Sequence, residues 1–213
     1  MTLESALPWI SLAAAAGAGL AAAESGRVAS WLKAVALGTL AVYAYFRWIT
    51  PSAAPMGLVL QAIAYAVAAP GGPIRRDLAH GLSAVGWLVL ADLYLNTGDG
   101  PGVFVGDGFK AALLAALLIG GGYGMRRLWS KLPARRLGLA AEAGAVAVMA
   151  VTALTLDWGF WPVILGAAGV VVSRALLLYV QAGLRLAATA GVRRGLWALD
   201  FLGQAVMAYA FLR

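Results

Sequence analysis

A chain of 213 residues that is 62% hydrophobic and 12% charged, with a mean hydropathy of +0.85, is too apolar for a soluble domain, whose helices need polar faces, and has the composition of a polytopic membrane protein. It reads as all-α and as a single transmembrane domain over residues 1–213. The lack of cysteine excludes disulfides, thiolate nucleophiles and thiolate metal sites. A formal net charge of +7 invites a nucleic-acid reading, but the basic residues fall in short connections where topology accounts for them, so no nucleic-acid partner is expected.

Apolar stretches at about 6 to 23, 31 to 48, 54 to 69, 77 to 95, 109 to 124, 137 to 156, 160 to 182 and 194 to 212 predict a bundle of eight transmembrane helices. The first is Ala-rich, yet the segment before it carries Glu4 and no Lys or Arg, which argues for a retained helix rather than a signal peptide. The third, near Pro55 to Ala69, is short for a hydrocarbon core of ~30 Å. Connections one, three, five and seven, with the helix ends beside them, hold Arg27, Lys33, Arg75, Arg76, Arg126, Arg127, Lys131, Arg135, Arg136, Arg185, Arg193 and Arg194, against Arg47, Lys110 and Arg213 on the other side. Twelve against three puts both termini on the non-cytoplasmic side, and a bacterial inner membrane is the expected location. Glycine is abundant, with 27 residues. The run GGGYG from Gly120 to Gly124 has neither a preceding strand nor a following Lys-Ser/Thr. Like Gly166 and Gly169 it therefore reads as close helix packing and not as a phosphate cradle.

The run WPVILGAAGVVVSRALLLYVQ, Trp161 to Gln181, carries Arg174 beside Ser173. An arginine near the middle of a span costs roughly 2.5 to 3.5 kcal/mol on insertion scales, so it needs a partner inside the protein or must snorkel. Counting about 1.5 Å per residue from the cytoplasmic ends, Arg174 lies roughly 12 Å deep, Asp200 roughly 9 Å, Glu142 roughly 8 Å and Gln204 roughly 15 Å. The expectation is a polar pocket in which Arg174 pairs with Asp200 or Glu142, with Ser173 and Gln204 nearby. The alternative is a buried ion pair that only fixes helix register. Asp92 reads as a solvated helix end. His80, following Arg75, Arg76 and Asp77, reads as an interfacial surface histidine; a single histidine without cysteine makes a poor metal site, and no cofactor is implied. No Ser/His/Asp triad is expected, because this histidine is shallow and Ser173 adjoins an arginine. Trp48, Trp129, Trp158 and Trp161 fall at predicted span ends, as an interfacial belt does, whereas Trp87 is deep in span four.

Eight short spans, Lys33 in WLKAVALGTLAVYAY, Gly166 to Arg174 in GAAGVVVSR and Phe201 to Gln204 in FLGQ resemble the YhhN-type lysoplasmalogenase family. The resemblance implies hydrolysis of the vinyl-ether bond of a lysoplasmalogen to a fatty aldehyde and a glycerophospho head group, by carboxylates in a membrane pocket. Three positions depart from the family pattern. Its Gly-Asp, Gly-His and Ser-Asp pairs correspond here to Ala64-Tyr65, Gly86-Trp87 and Ser173-Arg174. Tyr, Trp and Arg cannot readily donate a proton to a double bond and activate water. Either the reaction has moved to Asp200 and Glu142, or the fold is kept without it.

Three readings follow. In the first, a single-chain lysophospholipid is bound and hydrolysed, with Asp200 and Glu142 as catalytic groups and Arg174, Ser173, Gln204, Tyr65, Trp87 and Lys33 contacting substrate. In the second, the protein is a non-catalytic lipid-binding or accessory subunit, its partner a membrane lipid together with another membrane protein or a second copy of the chain. In the third, it is a small terpenoid cyclase in which Asp200 or Glu142 protonates an alkene beside Trp87, Trp197 and Tyr65. A transporter ranks lowest, since no inverted repeat is visible.

Overall fold

The computed structural model describes residues 3–21, 26–47, 53–132, 136–182 and 189–210. Trp48, Arg135, Arg185 and Arg213 lie outside the described residues. Nine α-helices occur among those described: α1 (Leu3–Ala21), α2 (Gly26–Arg47), α3 (Ala53–Ala68), α4 (Pro73–Thr97), α5 (Val103–Gly106), α6 (Gly108–Leu128), α7 (Arg136–Ala153), α8 (Trp161–Gln181) and α9 (Ala190–Ala210), with a 3-10 turn, Trp158–Phe160, leading into α8. Every predicted stretch falls on one of the eight long helices, and only the single turn of α5 was not anticipated.

Local chemistry sets the boundaries. Gly71 and Gly72 have φ of +77° and +98°, a left-handed conformation that costs a residue with a side chain, and Pro73 then opens α4 where its missing N–H is no loss. Asp107 caps α6, its Oδ1 accepting from the amides of Phe109 and Lys110 at 3.0 Å each. Its Oδ2 accepts from Trp158 Nε1 at 2.7 Å. The Lys110 amide foremost, with the Trp158 and Phe109 donors, holds the Asp107 carboxyl below its ordinary range.

Four segments are long and apolar enough to cross a membrane: Gly26–Arg47, Pro73–Thr97, Gly108–Leu128 and Trp158–Val180. Ala6–Ala21, Pro55–Ala68 and Leu137–Ala153 are apolar but shorter. Leu12, Leu88, Ile119, Leu165 and Leu202 are exposed, the surface of a helical bundle whose solvent is lipid.

Around the bundle the helices run α1, α2, α3, α4, α7, α8, α9 and back to α1, while α6 only grazes α7 and α8. One apolar core joins α4, α7, α8 and α9 through Trp87, Met149, Val163, Val170 and Met207. The other joins α1, α2, α3 and α9 through Ala18, Leu37, Leu58 and Trp197. Two crossings bring backbones into contact. A Cβ on Gly86 would lie 2.9 Å from the Gly57 carbonyl oxygen, and one on Gly203 would lie 2.6 Å from that of Gly166. The expectation is overturned for Gly120, Gly121 and Gly122, where a Cβ would meet nothing within 4 Å among the described residues. These glycines lie on the helix that stands outside the ring, so they have no neighbour to approach among the described residues.

Gly203→Ala is therefore expected to destabilise the protein by about 1 to 3 kcal/mol, because α9 must be pushed off α8. Gly121→Ala should stay within about 0.5 kcal/mol of the parent. Melting temperatures in one detergent compare them, and equal shifts would show that the α8 and α9 crossing is not tight.

Candidate functional site

The charged residues of α7, α8 and α9 meet near the basic end of the bundle, where α2, α4, α7 and α9 begin. Arg174 reaches from α8 to Asp200 on α9 with Nε to Oδ1 and Nη2 to Oδ2, both at 2.9 Å. This two-pronged contact is the strong form of an arginine-carboxylate pair. Its Nη1 donates to Glu142 Oε1 on α7 at 2.7 Å, and Nη2 also lies 3.2 Å from the Tyr65 hydroxyl on α3. One guanidinium thus joins four helices. It is 14% exposed, and its partners Glu142 and Asp200 are 9% and 6% exposed. Trp87 backs the group, its ring centroid 5.6 Å from the guanidinium carbon.

Asp200 is fully engaged. Besides the guanidinium it has Ser173 Oγ at 3.1 Å from Oδ1 and accepts from Gln204 Nε2 at 3.1 Å on Oδ2, with the Tyr65 hydroxyl at 3.5 Å. Glu142 has a different surround. His80 Nδ1 lies 2.6 Å from Oε2, and Ser83 Oγ donates to Oε1 at 2.6 Å. Ser83 Oγ is also 2.8 Å from Gln61 Oε1. A single hydroxyl proton serves one acceptor at a time, and the charged one is closer. Gln61, fully buried, donates to the Ser83 carbonyl at 2.8 Å.

His80 is thus not the interfacial surface histidine expected from the sequence. Helix α4 starts at Pro73, a full turn before the predicted 77, so His80 lies about two turns inside and faces α7. Trp87 and Gln204 lie where expected, deep in α4 and beside Asp200. Both are buried and line neither cavity described below: Trp87 forms the floor under Arg174, and Gln204 steadies Asp200 from one turn further along α9.

Two cavities flank the Arg174 and Tyr65 contact. One, about 240 Å³, is lined by His80, Ser83, Glu142 and Arg76, with Leu177 and Leu178 on its apolar wall. The other, about 270 Å³, is lined by Ser173, Asp200, Arg193 and Trp197. Lys33, Tyr65 and Arg174 line both. Lys33 Nζ sits 4.7 Å from the Trp197 ring centroid and 5.4 Å from that of Tyr65.

No family model, curated protein or solved structure matches the chain.

No three His, Asp or Glu side chains converge in a metal-binding group among the described residues, and a guanidinium between the two acids repels a cation. Proton transfer is the reaction type this donor set suits. His80 touches Glu142 through Nδ1, which leaves Nε2 without a hydrogen-bond partner among the described residues, and the ring is 25% exposed. Sequence reasoning missed His80, Ser83 and Gln61. Their signal was present: His80, Ser83 and Trp87 share one face of α4 at i, i+3 and i+7, and Gln61 is a lone amide in an apolar span one turn before Tyr65.

Proposed function

We propose that the chain is an eight-span membrane protein of the lysoplasmalogenase type that draws a single-chain lysophospholipid into the His80 cavity and hydrolyses its vinyl-ether bond. The observation that carries this reading is an imidazole held on a carboxylate at the wall of an apolar-sided cavity. Acid hydrolysis of a vinyl ether begins with a proton delivered to the carbon β to oxygen. Water then adds to the resulting oxocarbenium carbon, and the hemiacetal collapses to an aldehyde and the glycerol hydroxyl. His80 Nε2 is the donor in this scheme and takes up the proton that the adding water loses, while the Glu142 carboxylate beside Nδ1 stabilises the imidazolium. Arg174 keeps the Glu142 carboxylate in place, and Asp200 with Ser173 and Gln204 keeps Arg174 in place, so Asp200 is a positioning residue. The Tyr65 hydroxyl is suited to orient the attacking water.

The same reading places the site near the cytoplasmic face of a bacterial inner membrane, with both termini outside, because the basic residues flank the end where the cavities lie. A cyclase would need a protonated acid facing aromatic rings, whereas both acids here face a guanidinium. The second reading, a lipid-binding protein without turnover, is favoured by the number of donors already engaged on Asp200 and Glu142.

The test is fatty-aldehyde release from a 1-alkenyl lysophospholipid by the purified protein, with the 1-acyl analogue as control. Aldehyde from the alkenyl lipid alone is the expected result. Binding of both lipids without release would select the second reading, and failure to bind either would remove both.

A further inference from the structure

We propose that the second cavity is a phosphate-binding subsite, with Lys33 and Arg193 as its cations. Three cationic side chains line it, Lys33, Arg174 and Arg193, against one acid, Asp200. Asp200 is already taken by the two-pronged contact with Arg174. Lys33 and Arg193 line the same space, and among the described residues neither forms an ion pair with a carboxylate.

Lys33 is the more telling of the two. It is half-buried on α2, and among the described residues it makes no hydrogen bond or ion pair. Its neighbours are the faces of Trp197 and Tyr65, which hold an ammonium in position and leave its three N–H donors unused. Trp197 is itself pinned, its Nε1 donating to the Ala15 carbonyl at 2.9 Å. A half-buried ammonium that is oriented but not neutralised is complementary to an anion. Gly26, the first residue of α2, also lines the cavity, so the positive end of that helix adds to the field. Arg193 is exposed and stands at the mouth, as a residue that draws an anion in would.

Phosphate is favoured over carboxylate because Lys33 and Arg193 approach from different helices, and a tetrahedral anion offers oxygens in both directions. At about 270 Å³ the cavity is large enough for a phosphate with its glycerol. Since Lys33, Tyr65 and Arg174 border both cavities, a phosphate beside Lys33 lies next to the His80 cavity. The subsite rests on the lipid reading only for the phosphate's carrier, which is either a lysolipid head group or a free phosphate.

The experiment measures binding to the purified full chain of three probes: 1-palmitoyl lysophosphatidylethanolamine, monopalmitoylglycerol and inorganic phosphate. The expected result is at least about 10-fold tighter binding of the phosphate-bearing lipid than of the glyceride, the size of a charge-assisted contact. Lys33→Gln should abolish that preference while leaving monopalmitoylglycerol affinity intact, Lys33→Arg should retain it, and Arg193→Gln should weaken it by a smaller factor. Lys33-dependent binding of inorganic phosphate identifies a site for the free ion as well; its absence restricts the site to head groups. Inorganic phosphate bound through Lys33 with neither lipid bound would uphold the subsite and remove the lipid reading. Equal affinity for the two lipids in the parent protein with no binding of inorganic phosphate, a preference unchanged in Lys33→Gln, or no binding of any probe would overturn it.

Discussion

Arg174→Ala is expected to cost about 3 to 5 kcal/mol of stability, the range for orphaning a buried charge, and to be the most damaging single change in the charged cluster. The reason is its position between two acids. Removing the guanidinium strands Asp200 and Glu142 together, each less than a tenth exposed. Asp200→Ala leaves Arg174 with Glu142 and Tyr65, and Glu142→Ala leaves it with both oxygens of Asp200. Those two variants should therefore lose less. A triple replacement, Arg174→Met with Asp200→Leu and Glu142→Leu, removes all three of these charges at once and should recover most of the loss. Thermal unfolding in a single detergent ranks the four proteins. Small and equal shifts for the three single variants would mean that water reaches the cluster and solvates whichever charge is left.

His80→Phe is expected to lower kcat for vinyl-ether hydrolysis by about 10²- to 10⁴-fold, the usual contribution of a positioned acid-base group. The KM for the alkenyl lipid should change little, since phenylalanine keeps the ring's bulk at the cavity wall. Stability should change modestly, because His80 is the partly exposed member of the pair and Glu142 keeps Arg174 and Ser83. Glu142→Gln should match the loss of turnover and add a loss of stability, because it also removes one of Arg174's two anions. Aldehyde release by His80→Phe at the parent rate would remove the proton-donor role from His80. A fall in turnover that merely follows the fall in melting temperature across variants would indicate a structural role for His80.

Much of this arrangement was legible in the sequence because the polar residues are few. Arg174, Glu142 and Asp200 lie on three different spans, and a count of residues from the basic ends puts all three in one layer, where the structure joins them. Helix positions were legible for the same reason: runs rich in Ala, Leu, Val and Gly carry few polar residues, and these cluster where the chain turns. What was hidden is which way each helix faces. In an apolar span almost every face is hydrophobic, so periodicity says little about orientation, and the outward placement of α6 leaves no mark beyond the absence of a charged residue between Lys110 and Arg126. His80 was misplaced by a helix start one turn too late. Ser83 and Gln61 were overlooked because a serine or a glutamine in a membrane helix commonly bonds within its own helix, and only the α3 and α4 crossing at Gly57 and Gly86 brings these two together.

The order of the cluster along the chain has a consequence for biosynthesis. Membrane helices emerge from the N-terminal side first. Glu142 is laid down on α7 before α8 is made, and Asp200 arrives only with α9. When the arginine-bearing helix enters the bilayer, a carboxylate is already waiting on the helix before it, and His80 and Ser83 have had α7 to bind since the previous span. The two-pronged contact with Asp200 forms only once α9 has followed, so Glu142 shields the guanidinium first and Asp200 clamps it afterwards.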